Sequence, residues 1–361
     1  MTPTLRQAAG SLLVVGLSTF ELTALERAWL KLIQPSGIIL FRRNITDAQQ
    51  TRNLLTEAAS YCTANHLRCV DIEGGTVDRL RDAVAPMPSA RAVAQTGKIQ
   101  LMQQHGELIA RETQAFGFNT TLAPVVDLAL PASAKVMGTR AVAPTPAGVV
   151  QYTRAFLAGL AQHGVIGCAK HFPGLGGGTL DSHLATPAIP RTWRELWSED
   201  LAPYRELVRE LPIIMVNHAT YPETKSVNIP ATASKFWVTT VLEKRIGYRG
   251  LIFSDDMEMG GILNHAPIEE AAILALRAGI HILEICHSPE LILRCYESLL
   301  HEAERSASFR KLLLDRAATG RRLRKARFAH PPARALSPVQ LVVLREKILR
   351  FQDTVQNLEA R

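Results

Sequence analysis

The chain has 361 residues, 47% of them hydrophobic, enough to bury a large core in one big domain. Five cysteines, Cys62, Cys69, Cys168, Cys286 and Cys295, are scattered without a CxxC pair, which excludes a disulfide framework or zinc knuckle and fits a reducing compartment. The net charge of +8 comes wholly from residues 301–361, which hold 14 Lys+Arg against 6 Asp+Glu, so a nucleic-acid partner is not expected of the neutral remainder.

In chain order, Arg6 precedes an apolar run from Ala8 to Leu17. The run is too short for a membrane span and lacks the cleavage pattern of a secretory leader, so it reads as a buried first strand of a soluble, cytoplasmic protein. Eight short β-rich segments follow one another: Leu12–Leu17, Gly37–Phe41, Leu67–Asp71, Phe118–Asp127, Val165–Phe172, Ile213–His218, Gly250–Asp255 and Ile280–Ile285. Stretches with helical periodicity lie between them, among them Gln100–Ala115 and Pro146–His163. Eight strands alternating with helices predict an α/β fold with a parallel sheet, closed into a (β/α)8 TIM barrel. An open doubly wound sheet would carry a nucleotide-type glycine fingerprint after strand one, and Leu17-Ser18-Thr19-Phe20 has none. Ser288 to Arg327 reads as one or two closing helices, with the basic run Arg321–Arg327 on a solvated face. Pro331-Pro332 breaks the helix, and Pro338–Leu358 reads as a last amphipathic helix outside the barrel. The expected organisation is a single domain: a catalytic barrel over 1–330 with a C-terminal helical extension over 331–361.

Barrel chemistry belongs at the C-terminal ends of the strands. Strand three ends in Asp71, strand four in Asp127, strand five in Lys170-His171, strand six in Asn217-His218 and strand seven in Ser254-Asp255-Asp256. One such residue is explained by capping of the next helix. Five of eight strands ending this way point to a shared site. Asp255 follows a nearly all-apolar strand that holds its backbone rigidly, which suits a nucleophile, with Asp256 in support. The loop Lys170–His183 holds Gly174, Gly176, Gly177 and Gly178 and reads as a mobile lid. Asp181 and His183, two apart, can meet as a carboxylate–imidazole dyad that moves a proton near neutral pH. An exposed histidine beside a capping aspartate explains those two residues equally well. Arg79, Arg140 and Lys170 add donors, and Lys170 stands out because its strand is apolar. Glu73, followed by Gly74-Gly75, reads as a turn-stabilising carboxylate.

The motifs together resemble glycoside hydrolase family 3, in particular its NagZ-type β-N-acetylglucosaminidases. The match is carried by Asp71-Ile72-Glu73-Gly74-Gly75-Thr76-Val77-Asp78-Arg79, Leu122-Ala123-Pro124-Val125-Val126-Asp127-Leu128, the Lys170–His183 loop and Ser254-Asp255-Asp256-Met257-Glu258-Met259, and it spans roughly residues 8 to 325. The resemblance implies a retaining β-N-acetylhexosaminidase with Asp255 as nucleophile, His183 as acid/base and Asp181 as its dyad partner. It also implies that Asp71, Arg79, Arg140, Lys170 and His171 bind the sugar in the −1 subsite. The family's usual substrate is N-acetylglucosamine β-linked to 1,6-anhydro-N-acetylmuramic acid, released in cytoplasmic cell-wall (peptidoglycan) recycling. The partner expected is therefore a small carbohydrate or muropeptide, handled by a monomer with no metal or organic cofactor. Ile72, Thr76, Thr139 and Leu175 depart from the family's common wording (Gln, Arg, Asp and His), which bears on the rim and not on a proposed catalytic group.

Three rivals stay open on the sequence. Phosphate in place of water as acceptor would make the enzyme a phosphorylase, or the sugar preference within the family could differ. Asp71, His171, His183, His218 and Asp255 would together suit a metal-dependent hydrolase, though no His-x-His follows strand one. A sugar-binding barrel without catalysis is the third.

Overall fold

The computed structural model describes residues 3–179, 186–327 and 334–359. Eight parallel strands close on themselves: β1 (Leu13–Gly16), β2 (Gly37–Leu40), β3 (Leu67–Val70), β4 (Thr120–Thr121), β5 (Ile166–Phe172), β6 (Ile213–Val216), β7 (Leu251–Asp256) and β8 (Ile282–Ile285), with β8 pairing back onto β1. Helices surround this (β/α)8 barrel. Strand residues alternate between two environments, as the period of two requires. Val14, Ile39, Cys69, Leu122, Cys168, Met215, Phe253 and Ile282 fill the interior. Val15, Ile38, Val70, Ile214, Ile252 and Leu283 face the helices and belong to the larger outer core.

Two elements differ from the sequence reading. The run from Ala8 to Leu17 is not all strand, because Leu5–Gly10 is a helix. Thr4 caps it by accepting from the Gln7 N–H while the Gln7 side chain accepts from the Thr4 N–H. This reciprocal box overrides the apolar pattern of the residues inside it. Strand four, expected over Phe118–Asp127, keeps only two ladder residues. Pro124 has no N–H to give, so the ladder breaks there. The chain nevertheless runs on beside β5, with Lys170 N–H donating to Pro124 O at 3.1 Å and Val126 N–H to Lys170 O at 2.7 Å. Asp127 is thereby carried to the barrel mouth.

The closing helices are Pro289–Arg305 and Ala307–Arg327, and the last is Pro338–Glu359. Pro331-Pro332 lies outside the described residues. The basic run is not wholly solvated. Arg324 is fully buried, donating to Ser11 O at 3.3 Å and Thr63 Oγ1 at 3.2 Å beneath the N-terminal ends of β1 and β3. No helix among the described residues is long and apolar enough to cross a membrane.

Candidate active site

The C-terminal ends of the strands open on a cavity of about 360 Å³ that gathers most of the expected site residues. Asp71, Arg79, Arg140, Lys170, His171 and Asp255 all line it. Asp181 and His183 lie outside the described residues.

Asp71, Lys170 and Asp255 lie on or directly after odd-numbered strands. Asp71 follows β3, and Lys170 is the fifth residue of β5, pointing inward because Cys168 two residues earlier does so. Lys170 Nζ lies 2.8 Å from Asp71 Oδ1 and 2.7 Å from Glu73 Oε1. Arg140 grips the same Glu73 with a two-point fork, Nε to Oε2 at 2.7 Å and Nη2 to Oε1 at 2.8 Å. Arg79 Nη2 reaches Asp71 Oδ2 at 3.3 Å. Burial pushes the Glu73 carboxyl up, but Arg140 and Lys170 outweigh it and hold the group well below the usual carboxylate range. Asp71 is likewise held down by Lys170 and Arg79 against its burial, while Asp71 and Glu73 hold Lys170 charged against the same penalty. Glu73 is therefore not a turn stabiliser. It is the buried anion that fixes two of the cations in place.

His171 is oriented by a residue the sequence placed at the mouth without a role. Asp127 Oδ2 accepts from the His171 ring at Nδ1, 2.6 Å away, and from its backbone N–H at 3.2 Å. With a carboxylate on Nδ1, that nitrogen carries the proton and Nε2 turns toward Arg140 Nη2, 3.4 Å away. Asp127 Oδ1 also accepts the Leu175 N–H at 2.7 Å, which ties down the start of the glycine-rich segment. Over 174–178 the glycines are closely packed. A Cβ at Gly174 (φ +137°) would stand 2.9 Å from Asp200, and one at Gly176 2.8 Å from Leu128 O.

Asp255 ends the inward row of β7 after Leu251 and Phe253. Its Oδ1 accepts the Asp256 N–H at 3.0 Å, and among the described residues no cation pairs with it. Asp256 turns aside. Its Oδ1 takes the Glu258 N–H at 3.1 Å, its Oδ2 lies 3.5 Å from His287 Nδ1, and its carbonyl oxygen accepts from His218 Nε2 at 3.0 Å. Glu258 then accepts the Cys286 and Ser288 N–H groups at 3.1 and 2.7 Å, pinning the end of β8. Hydrogen bonds to Asp256 and Glu258 raise His287 to about 9, so it is cationic at neutral pH. Burial lowers His218, which stays neutral despite the nearby aspartates.

The sequence reading missed His287 and Glu284, both on the cavity wall. His287 follows the last strand and carried no pattern. Glu284 was detectable, since alternation along β8 puts Ile282, Glu284 and Cys286 on one face, and that face is the barrel interior.

A parallel barrel with a carboxylate at a strand end, facing bidentate and charge-paired donors across a sugar-sized cavity, is the layout of a barrel glycosidase. Residues 4–313 match the glycosyl hydrolase family 3 N-terminal domain, and the chain belongs to that family. It is 37% identical to a β-hexosaminidase of Methylococcus capsulatus over 296 residues, 81% of this chain and 87% of that protein. A β-hexosaminidase of Stenotrophomonas maltophilia is 33% identical over 288 residues, 78% of this chain and 84% of the other. Among solved structures, a family 3 β-N-acetylglucosaminidase from Paenibacillus superposes with a TM-score of 0.86 at 28% identity, covering 97% of this chain and 69% of that one. NagZ from Neisseria gonorrhoeae gives 0.72 at 30% identity, covering 86% and 98%.

Proposed function

We propose that the chain is a retaining exo-β-N-acetylglucosaminidase that removes terminal β-linked N-acetylglucosamine from small glycans. The observation that carries the reading is Asp255: a strand-end carboxylate with no cation paired to it among the described residues, opening on a cavity in which Asp71, Glu73, Arg79, Arg140 and Lys170 are locked in ion pairs. A carboxylate so placed is available to attack. Its Oδ atom adds to the anomeric carbon as the glycosidic bond breaks, and His183, oriented by Asp181, gives its proton to the departing oxygen. Water then loses a proton to His183 and displaces Asp255 from the sugar. Asp71, Arg79, Arg140, Lys170 and His171 hold the ring and its N-acetyl group. Muropeptides of peptidoglycan are the natural substrates in this reading, and the reaction belongs to cytoplasmic cell-wall recycling.

The test is hydrolysis of a chromogenic β-N-acetylglucosaminide beside the matching β-glucoside, with and without phosphate. Wild type is expected to release the chromophore from the first substrate alone, independently of phosphate, and Asp255→Ala to lose turnover by a factor on the order of 10⁴ while keeping its fold. His183→Ala is expected to suffer most with poor leaving groups, which need the proton. Wild-type turnover in Asp255→Ala sinks the nucleophile assignment, and a sugar 1-phosphate among the products makes the enzyme a phosphorylase.

A further inference from the structure

The even-numbered strands place four side chains on the wall of the cavity: Ile39 from β2, Leu122 directly after β4, Met215 from β6 and Glu284 from β8. In such barrels a layer of four side chains from alternate strands is packed with bulky apolar groups. Three of these four obey the rule and Glu284 breaks it. Its companions on the same strand face, Ile282 and Cys286, belong to the apolar interior. Glu284 is 2% exposed, its Oε1 is sealed from solvent without a hydrogen-bond partner, and no cation pairs with its carboxyl among the described residues. A buried carboxyl without partners costs stability, and such rule-breaking positions concentrate where a ligand completes them.

We propose that the Glu284 carboxyl reads the saccharide, hydrogen-bonding a hydroxyl on the side of the sugar ring that faces the barrel interior. The inference rests on the hexosaminidase reading and adds to it the group that sets sugar specificity from below. Burial first, then Asp71, Asp256 and Asp255, push this carboxyl well above the usual range against the pull of Lys170. The shift favours its protonated form beside the nucleophile. A protonated carboxyl can donate an O–H where a carboxylate can only accept. It differs in this from Asp71, which Lys170 and Arg79 keep ionised and accepting only.

The experiment compares wild type, Glu284→Leu and Glu284→Gln on an aryl β-N-acetylglucosaminide and on its 3-, 4- and 6-deoxy counterparts, with melting temperatures alongside. Leu suits an apolar layer, so Glu284→Leu is expected to melt no lower than wild type while its KM rises at least about tenfold with a smaller change in kcat. Glu284→Gln, which also donates and accepts, is expected to recover most of that loss. With one deoxy substrate the difference between wild type and Glu284→Leu should vanish, which names the hydroxyl. Wild-type KM in Glu284→Leu, a Gln variant as impaired as the Leu variant, or an equal loss on every deoxy substrate overturns the proposal. Turnover of the parent glycoside by wild type tests the hexosaminidase reading separately. Where another glycoside is preferred, the same ratios are taken on it.

Discussion

Lys170 and Arg140 both lean on Glu73, each approaching within 2.7 Å of one of its oxygens, and Glu73 is 2% exposed. Buried pairs of this kind add little net stability when built, but removing one partner strands the other charges away from water. Glu73→Gln is expected to destabilise the fold by about 3–5 kcal/mol, read as a lower urea midpoint with an unchanged slope. Arg140→Gln placed on top should cost less than the sum of the two single changes, because the cation it removes is already unpaired. Full additivity would mean that the pair is not coupled. Asp71, by contrast, shares Lys170 and Arg79, and one of its oxygens faces each. Its loss is expected to act on substrate binding as well as on stability, whereas Glu73 acts through the cations it positions.

The ends of β7 and β8 are held together by a small polar knot in which Glu258 accepts two backbone N–H groups from the β8 side and pairs with His287 at 3.1 Å. His287 rises from 6.5 to about 9 through Asp256 and Glu258, and its side chain is 55% exposed, so solvent weakens the pair. A histidine raised on folding contributes stability that is fully present below its unfolded value and is lost as pH climbs through the folded one. His287→Gln is therefore expected to lower the melting temperature at pH 6 to 7 and to leave it unchanged at pH 10. A titration of the His287 ring near 6.5 would show that the knot carries no charge coupling. The eight strands were legible because each is a short apolar run bounded by polar residues, and the C-terminal position of Asp71, Lys170 and Asp255 followed from that. The partners of those residues were not. Asp127 reaches His171 from beyond the two ladder residues of β4, and Glu73 meets Arg140 across 67 residues of sequence, a distance over which spacing carries no information. The helix at Leu5–Gly10 was hidden by an apolar run that suits a strand equally well.

The family match ends at residue 313, yet the helix Pro338–Glu359 lies against the helices Ala90–Gln95 and Ile99–Ala115. Leu344, Ile348, Phe351 and Val355, spaced along one helical face, are all buried. Phe351 stacks on His105 with ring centroids 5.9 Å apart. His105 is buried, lowered to about 3 and hydrogen-bonded to Tyr152 at 2.8 Å, so it packs as a neutral ring. A Cβ added at Gly74 (φ +84°) would stand 3.0 Å from its Nε2 and 2.1 Å from Pro88 O, so the turn that follows Glu73 rests directly on this ring. Contact thus runs from the terminal helix through Phe351 and His105 to the backbone that aims Glu73 at Lys170 and Arg140. Phe351→Ala opens a cavity in that column and is expected to cost about 3–5 kcal/mol. If barrel and extension form one cooperative unit, the loss appears in a single transition, with far-UV circular dichroism and tryptophan fluorescence coinciding. The four tryptophans, Trp29, Trp193, Trp197 and Trp237, all lie outside this helix and report on the barrel. An early transition in circular dichroism, with the fluorescence midpoint unchanged, would instead make the C-terminal helix an appendage that unfolds by itself, and the support of Glu73 would have to come from Pro88 and the glycine turn alone.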